Sequence, residues 1–266
     1  MKTAILRRTT LGLCLSVLLS PVAGMMPSVA QSSQNELERR VVQYETPDLT
    51  GRGRPGDRRG GGSRNPVTRC STAEPDELVA LVPVTERSLA VEYTLETQPT
   101  FWFYVPYAQN DYHSLEFILR NDEENVHIAQ LTPPAQPGVM SYSLPETAPE
   151  LERDRDYNWL IVVNCENPEQ NSEAAVFAQG WVRSIPPSPD LENKLATVTT
   201  VRETAQILAR HGIWYDALTL VGNLRNQEGA IADWEALLEA ANLENLTESN
   251  ETHSFKRAAR IVAHNH

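Results

Sequence analysis

The sequence lacks most of the short motifs that mark common enzymes. It has no Gly-x-Ser-x-Gly nucleophile elbow, no His-Glu-x-x-His pair, and no glycine loop placed between a strand and a helix. Three cysteines occur in 266 residues, one of them in the N-terminal apolar run, and the remaining two are too few for a closed thiolate metal site. We therefore predict no catalytic residues, no metal ligands and no cofactor.

Positive charge is scarce over most of the chain. From Cys70 onward, 12 Lys and Arg residues stand against 30 Asp and Glu residues. A body this acidic repels nucleic acid and anionic lipid unless another segment intervenes. Nucleic acid is therefore not expected as a partner.

Long apolar runs are also rare. The run 11–19 is too short to cross a bilayer as a permanent helix, and basic residues precede it. Small residues at 28–30 follow it, as a signal peptidase requires. The sequence predicts a signal peptide over 1–30 and an exported protein, periplasmic or extracellular, with no transmembrane span after cleavage.

Cys70 and Cys165 remain after the predicted cleavage. In an oxidising compartment an isolated pair indicates one disulfide, which would stabilise the fold by about 4–5 kcal/mol on the chain-entropy model. A catalytic thiol is the alternative, but no cation adjoins Cys165 to activate a thiolate. We predict the disulfide.

Composition divides the rest of the chain. Residues 31–69 are polar and then rich in glycine and arginine, and they predict a flexible leader because they offer little apolar surface to bury. Short apolar or alternating runs between 70 and 186 indicate an antiparallel β-sandwich. The eight predicted strands cover residues 78–84, 89–95, 101–107, 115–120, 126–131, 139–144, 157–165 and 176–185.

A tyrosine at the start of one strand refines this class. Leu151 stands six residues before Tyr157, as in the tyrosine corner of immunoglobulin-like sandwiches. Residues 187–243 then change to a period near 3.6, which predicts helices, and 244–266 form a polar tail. The expected fold is mainly β with C-terminal α, an immunoglobulin-like antiparallel β-sandwich packed by a C-terminal helical hairpin.

The predicted strand 101–107 is aromatic on both faces. Trp102 and Tyr104 could form a ligand platform, since stacked aromatic rings bind carbohydrate. Ordinary packing is the alternative, with the second face covered by the C-terminal helices. Trp214 and Tyr215 are the candidates to provide that cover.

The leader carries a basic arm, residues 51–69, in an otherwise acidic chain. A tether attracted to its own acidic body is one interpretation. Contact with an anionic envelope component or a protein partner is the other, each arginine near a charged membrane contributing about 1 kcal/mol. Its arginines are Arg52, Arg54, Arg58, Arg59, Arg64 and Arg69.

Several motifs in one order resemble a known family. The first motifs are the glycine- and arginine-rich run 51–64, the apolar run 78–83 and the aromatic run 99–107. The later motifs are Tyr-Asn-Trp at 157–159, Gly-Trp-Val at 180–182 and Gly-Ile-Trp-Tyr-Asp-Ala-Leu at 212–218. The order is similar to the cyanobacterial family called Domain of Unknown Function 928. The resemblance implies a secreted or periplasmic protein of a photosynthetic bacterium, and it transfers no catalytic residue.

Two classes of function remain open. The first is a non-enzymatic binding or interaction module of the envelope or extracellular space. The second is a hydrolase of a wall or surface polymer, for which Asp111, His113 and Glu116 are the candidate residues. A hairpin turn explains these three polar residues equally well, so we favour the module.

Overall fold

The computed structural model describes residues 41–47, 58–59, 61–62, 70, 77–84, 89–122, 124–171, 174–225, 227 and 230–248, with only the backbone of 61–62 and 247–248. These residues belong to one compact unit. Among these described residues, nine strands precede five helices. The strands are β1 (Gly61–Gly62), β2 (Val79–Ala80), β3 (Val91–Thr94), β4 (Thr100–Val105), β5 (Ser114–Arg120), β6 (Asn125–Leu131), β7 (Gly138–Ser143), β8 (Asp156–Asn164) and β9 (Ala175–Ser184).

The strands form two sheets. The larger sheet has the order β1-β9-β8-β5-β6, with β3 also pairing with β9, and the smaller sheet has the order β2-β4-β7. Each of the eight strands predicted from periodicity is present at its expected place. We predicted an antiparallel sandwich, but β3 pairs with β9 in parallel, with Val91 opposite Trp181. The larger sheet is therefore mixed.

Aromatic side chains join the two sheets. Phe101 of β4 lies 4.9 Å from Phe117 of β5 and 5.2 Å from Trp159 of β8, measured between ring centroids. Tyr142 of β7 lies 4.6 Å from Phe117. All four side chains are fully buried. Alternation along β4, β5 and β8 therefore builds the sandwich core, as period-two patterning requires.

The helices follow the sheets in the chain. They are α1 (Pro189–Leu195), α2 (Val201–Arg210), α3 (Trp214–Leu224), α4 (Ile231–Ala240) and α5 (Asn245–Glu248). Thr200 and Glu203 form a capping box at the start of α2, which separates it from α1 at the threonines that weaken the helical pattern. Gly212, with a φ of +69°, ends α2 and turns the chain into α3.

The helices cover the outer face of the smaller sheet. Trp102 points away from the sandwich core, and its ring centroid lies 5.6 Å from that of Trp234 on α4. An added Cβ at Gly222 of α3 would lie 2.6 Å from the Trp102 ring, so the absence of a side chain there permits this close packing. The order of layers is larger sheet, smaller sheet, helices.

Part of the predicted leader is packed against this body. Val42 is fully buried and Arg58 is 4% exposed. The flexible leader expected over 31–69 therefore differs from the structure at 41–47 and 58–59. The predicted signal peptide and most of the polar tail lie outside the described residues.

Candidate functional site: a basic arm fastened to the body

Residues 41–47, here called the strap, run in extended form against the helices. The backbone N–H of Val42 donates to Oδ1 of Asp233 on α4 over 2.9 Å. The N–H of Glu45 donates to the carbonyl of Ala209 on α2 over 3.0 Å. These contacts explain the burial of Val42, and they place the strap across two helices.

Tyr44 attaches the strap to the larger sheet. Its ring meets that of Trp214 edge to face, 4.8 Å between centroids, and its hydroxyl donates to Oε2 of Glu92 on β3. Glu92 is fully buried, and its Oε1 has no hydrogen-bond partner in the described part of the chain. Burial raises the pKa of Glu92 to about 8, although the hydrogen bond from Tyr44 opposes the shift.

Asp233, the acceptor for the strap, is held by a cation. Oδ2 of Asp233 lies 2.6 Å from Nε of Arg202, and a second guanidinium nitrogen donates to Oδ1 over 2.9 Å. Asp233 is 2% exposed. A buried carboxylate needs such a partner, since an unpaired charge is costly away from water.

Arg58 fastens the arm at a second point. Its guanidinium donates to the carbonyls of Val82, over 2.9 Å, Asn242, over 2.8 Å, and Ala241. The last two lie at the C-terminal end of α4, where a cation is favoured by the helix dipole. These contacts bury Arg58, so its guanidinium does not face an external anion. This differs from the anion-binding role that the sequence suggested for it.

The arm is attached at three further points. Arg59 forms a bridge with Val79 and an ion pair with Glu77, 3.4 Å between Nη1 and Oε2. Gly61–Gly62 pair with β9. Cys70 and Cys165 are joined by a disulfide, which confirms that prediction. The other arginines of the arm, Arg52, Arg54, Arg64 and Arg69, lie outside the described residues.

The four aromatic residues considered as a patch are all buried. Trp102, Trp214 and Tyr215 are at most 1% exposed, and Tyr104 is 8% exposed. Nε1 of Trp102 donates to Oγ1 of Thr219 over 3.1 Å, and Nε1 of Trp214 donates to the carbonyl of Leu81 over 3.0 Å. These side chains pack the interior, as the alternative interpretation holds, and they offer no open ligand platform.

Tyr215 connects the helices with the sandwich. Its hydroxyl accepts a hydrogen bond of 2.7 Å from Nε1 of Trp159 and donates one of 2.9 Å to the carbonyl of Trp181. The cover over Trp102, however, comes from Thr219, Gly222 and Trp234.

The three candidate hydrolase residues have separate partners. Oδ2 of Asp111 accepts from the backbone of Ala108 within a turn, over 2.8 Å. Glu116 accepts from the amides of Gln130 and Asn164, over 2.7 and 3.1 Å. His113 is exposed. Among the described residues, no three His, Cys, Asp or Glu side chains are grouped so as to hold a metal ion.

A polar cleft of roughly 380 Å³ opens at one end of the sandwich. Its lining includes Glu124, Glu150, Glu152 and Arg155. Arg155 pairs with Glu152 over 2.8 Å, so the cation of this lining is already paired with one of its carboxylates.

A family model described as Domain of Unknown Function (DUF928) matches residues 59–251. The chain belongs to this family. A comparison with curated proteins gives no match. Within the part of this DUF928 chain that the structure describes, no helix is both long enough and apolar enough to span a membrane.

The sequence reasoning missed the polar groups that hold the strap in this DUF928 protein. Glu92 lies in the run 89–95, which was predicted as a strand without any role for this carboxyl group. Asp233 lies on a helix between apolar residues. A carboxylate at an otherwise apolar position was the available signal, but its partners stand 48 and 191 residues away in the chain.

Proposed function

We propose that this protein is an exported, non-enzymatic binding module whose arm presents arginines to an anionic component of the envelope. The observation that carries the proposal is the attachment of the arm on both sides of its arginines. Arg52 and Arg54 lie between the strap and Arg58, and Arg64 and Arg69 lie between Gly62 and Cys70. The acidic body thus carries two basic stretches, and each stretch is anchored to it at both ends.

Anchoring favours recognition because it lowers the conformational entropy that the arm loses on binding. The surrounding acidity has a complementary effect, since the body repels an anionic surface everywhere except at these stretches. Arg58 is excluded from the contact, because its guanidinium is satisfied by three carbonyls.

Export is part of the proposal. The basic residues and apolar run at the N-terminus support it, and so does the disulfide, since disulfides persist in oxidising compartments. A fractionation that finds the full-length precursor in the cytoplasm with Cys70 reduced would contradict this part alone.

We also propose that the sandwich is immunoglobulin-like, a scaffold that commonly serves binding. The sheet order β2-β4-β7 against β9-β8-β5-β6 supports this, because it corresponds to strands A-B-E and G-F-C-C′ of that fold. The hydroxyl of Tyr157 accepts from the backbone N–H of Glu152 over 3.2 Å, the type of contact that a tyrosine corner makes.

Co-sedimentation with anionic phospholipid vesicles and with an acidic polysaccharide tests the proposal, with neutral vesicles as the reference. Replacing Arg52, Arg54, Arg64 and Arg69 by Gln should weaken binding by about 100-fold or more at low salt. The matched control replaces the same four by Lys, which retains the charge. Equal binding by the Gln variant, or no binding to either anionic probe by the wild type, would contradict the role of the arm.

A further inference from the structure

Glu92 is a carboxyl group in the interior with few polar groups around it. The groups that face it are phenols: Tyr44 from the strap and Tyr215 from α3, while Tyr93, the next residue on β3, interacts with Tyr44. Val182, its neighbour on β9, is apolar. Asp216, next to Tyr215, is turned toward the backbone N–H of Leu95, 3.3 Å away. In the described part of the chain no cation pairs with Glu92.

A neutral carboxyl group fits this environment, whereas a carboxylate does not. Ionised, Glu92 would retain one hydrogen bond from Tyr44 and would leave a charge in the interior. Water must then reach it. Of the elements around Glu92, β3 is held by four paired residues on β9 and α3 by its helical hydrogen bonds. The strap belongs to no helix or strand of the described residues, and its backbone is tied to the body at Val42 and Glu45, with the Tyr44 hydrogen bond beside them.

The strap is therefore the element that can yield at the lowest cost. We propose that residues 41–47 form a releasable latch that is docked while Glu92 is neutral and detaches from the body when Glu92 ionises. Release would leave Arg58 as the first attachment of the arm and would lengthen the unanchored chain before it. The latch stands or fails independently of whether the arginines bind anything.

Hydrogen exchange at individual amides tests the latch on the full chain. The amides of Val42 and Glu45 report the strap, and the amide of Phe117 in β5 reports the sandwich. Since the pKa of Glu92 is raised from 4.5 to about 8, protection of the two strap amides should fall about 100-fold between pH 6 and 9.5, after correction for the intrinsic exchange rate. Phe117 should keep its protection.

Two variants separate the latch from other causes. Glu92→Gln stays neutral and still accepts from Tyr44, so its strap protection should not change with pH. Tyr44→Phe keeps the ring on Trp214 and loses the hydroxyl, so strap protection should be about tenfold lower already at pH 6. The latch is overturned if strap protection is unchanged up to pH 9.5, if Glu92→Gln loses it like the wild type, or if Phe117 loses it by the same factor.

Discussion

The two aromatic interfaces of this protein are built on different principles. Between the sheets, Phe101, Phe117 and Trp159 meet ring to ring, and burial of apolar surface stabilises the contact. On the helix side charged groups enter the interior. Arg225, 8% exposed, lies 5.3 Å from the Trp102 ring and 5.9 Å from the Trp234 ring.

The difference concerns how each interface tolerates change. An apolar interface loses stability in proportion to the volume removed, whereas a buried polar group adds a requirement for one partner in one place. The stability of the helix and strap side, which contains Glu92 and Asp233, should therefore depend on pH and on single-atom changes. The stability of the sheet interface should not. Four predictions test this contrast.

Phe117→Ala should give the largest effect, because Phe117 is fully buried between Phe101, Tyr142 and Trp159. We expect the free energy of unfolding to fall by about 3–5 kcal/mol, measured by urea denaturation. Ile118→Ala is the control, since Ile118 is half-buried on the opposite face of β5. Similar losses for both variants would contradict the assignment of the core face.

The pH dependence of stability should come from the helix and strap side. The pKa of Glu92 is raised from 4.5 to about 8, so between these values the folded chain holds a proton that the unfolded chain has released. Stability should therefore decrease as pH rises from 4.5 to 8, by on the order of 3–5 kcal/mol, and level off above.

Urea denaturation at several pH values measures this dependence. In Glu92→Gln the decrease between pH 6 and 8 should disappear. A smaller decrease between pH 4 and 6 should remain, because burial raises the pKa of Asp216 from 3.8 to about 6. A steep decrease between pH 6 and 8 that persists in Glu92→Gln would assign the effect to another group.

Asp233→Asn tests the buried ion pair. The amide oxygen can still accept from Val42, but the charge that holds Arg202 is lost. We expect a destabilisation of about 1–2 kcal/mol by urea denaturation, since Arg202 is partly exposed and can turn to water. Glu239→Gln, at an exposed position of the same helix, should change stability by less than about 0.5 kcal/mol. Equal effects would remove the special role of Asp233.

The same contrast explains what the sequence could predict. The apolar and alternating runs predicted β4, β5 and β8 at their places in the chain, because period-two patterning is local information. The helices were found in the same way from their 3.6 period, with a break between α1 and α2 at the threonines before Thr200.

The polar contacts could not be predicted in this way, because each one joins elements far apart in the chain. Arg58 looked like one of six equivalent arginines, yet it satisfies carbonyls more than 180 residues away. The strap looked polar, although Val42 and Tyr44 dock in a groove that exists only after the helices have packed. Composition alone cannot distinguish such a segment from a free leader.

The last prediction, with an effect no larger than that of Asp233→Asn, concerns the junction between the strap and the helices. Gly212 has a φ of +69°, a left-handed conformation that an alanine adopts only with strain. An added Cβ would also meet the ring of Pro47 at the end of the strap. Gly212→Ala should therefore lose about 1–2 kcal/mol in urea denaturation. Gly138→Ala, where a Cβ has nothing within 4 Å, should be close to neutral.

A double-mutant cycle separates the two causes of that loss. Pro47→Ala removes the ring that the new Cβ would meet, so it should recover part of the loss in Gly212→Ala if the strap is docked there. The backbone strain belongs to Gly212 alone and should remain. A cycle with no coupling would mean that strap and helix junction do not touch in solution. Coupling that vanishes above pH 9 would instead connect this contact to the ionisation of Glu92, which lies on β3 and holds the same strap through Tyr44.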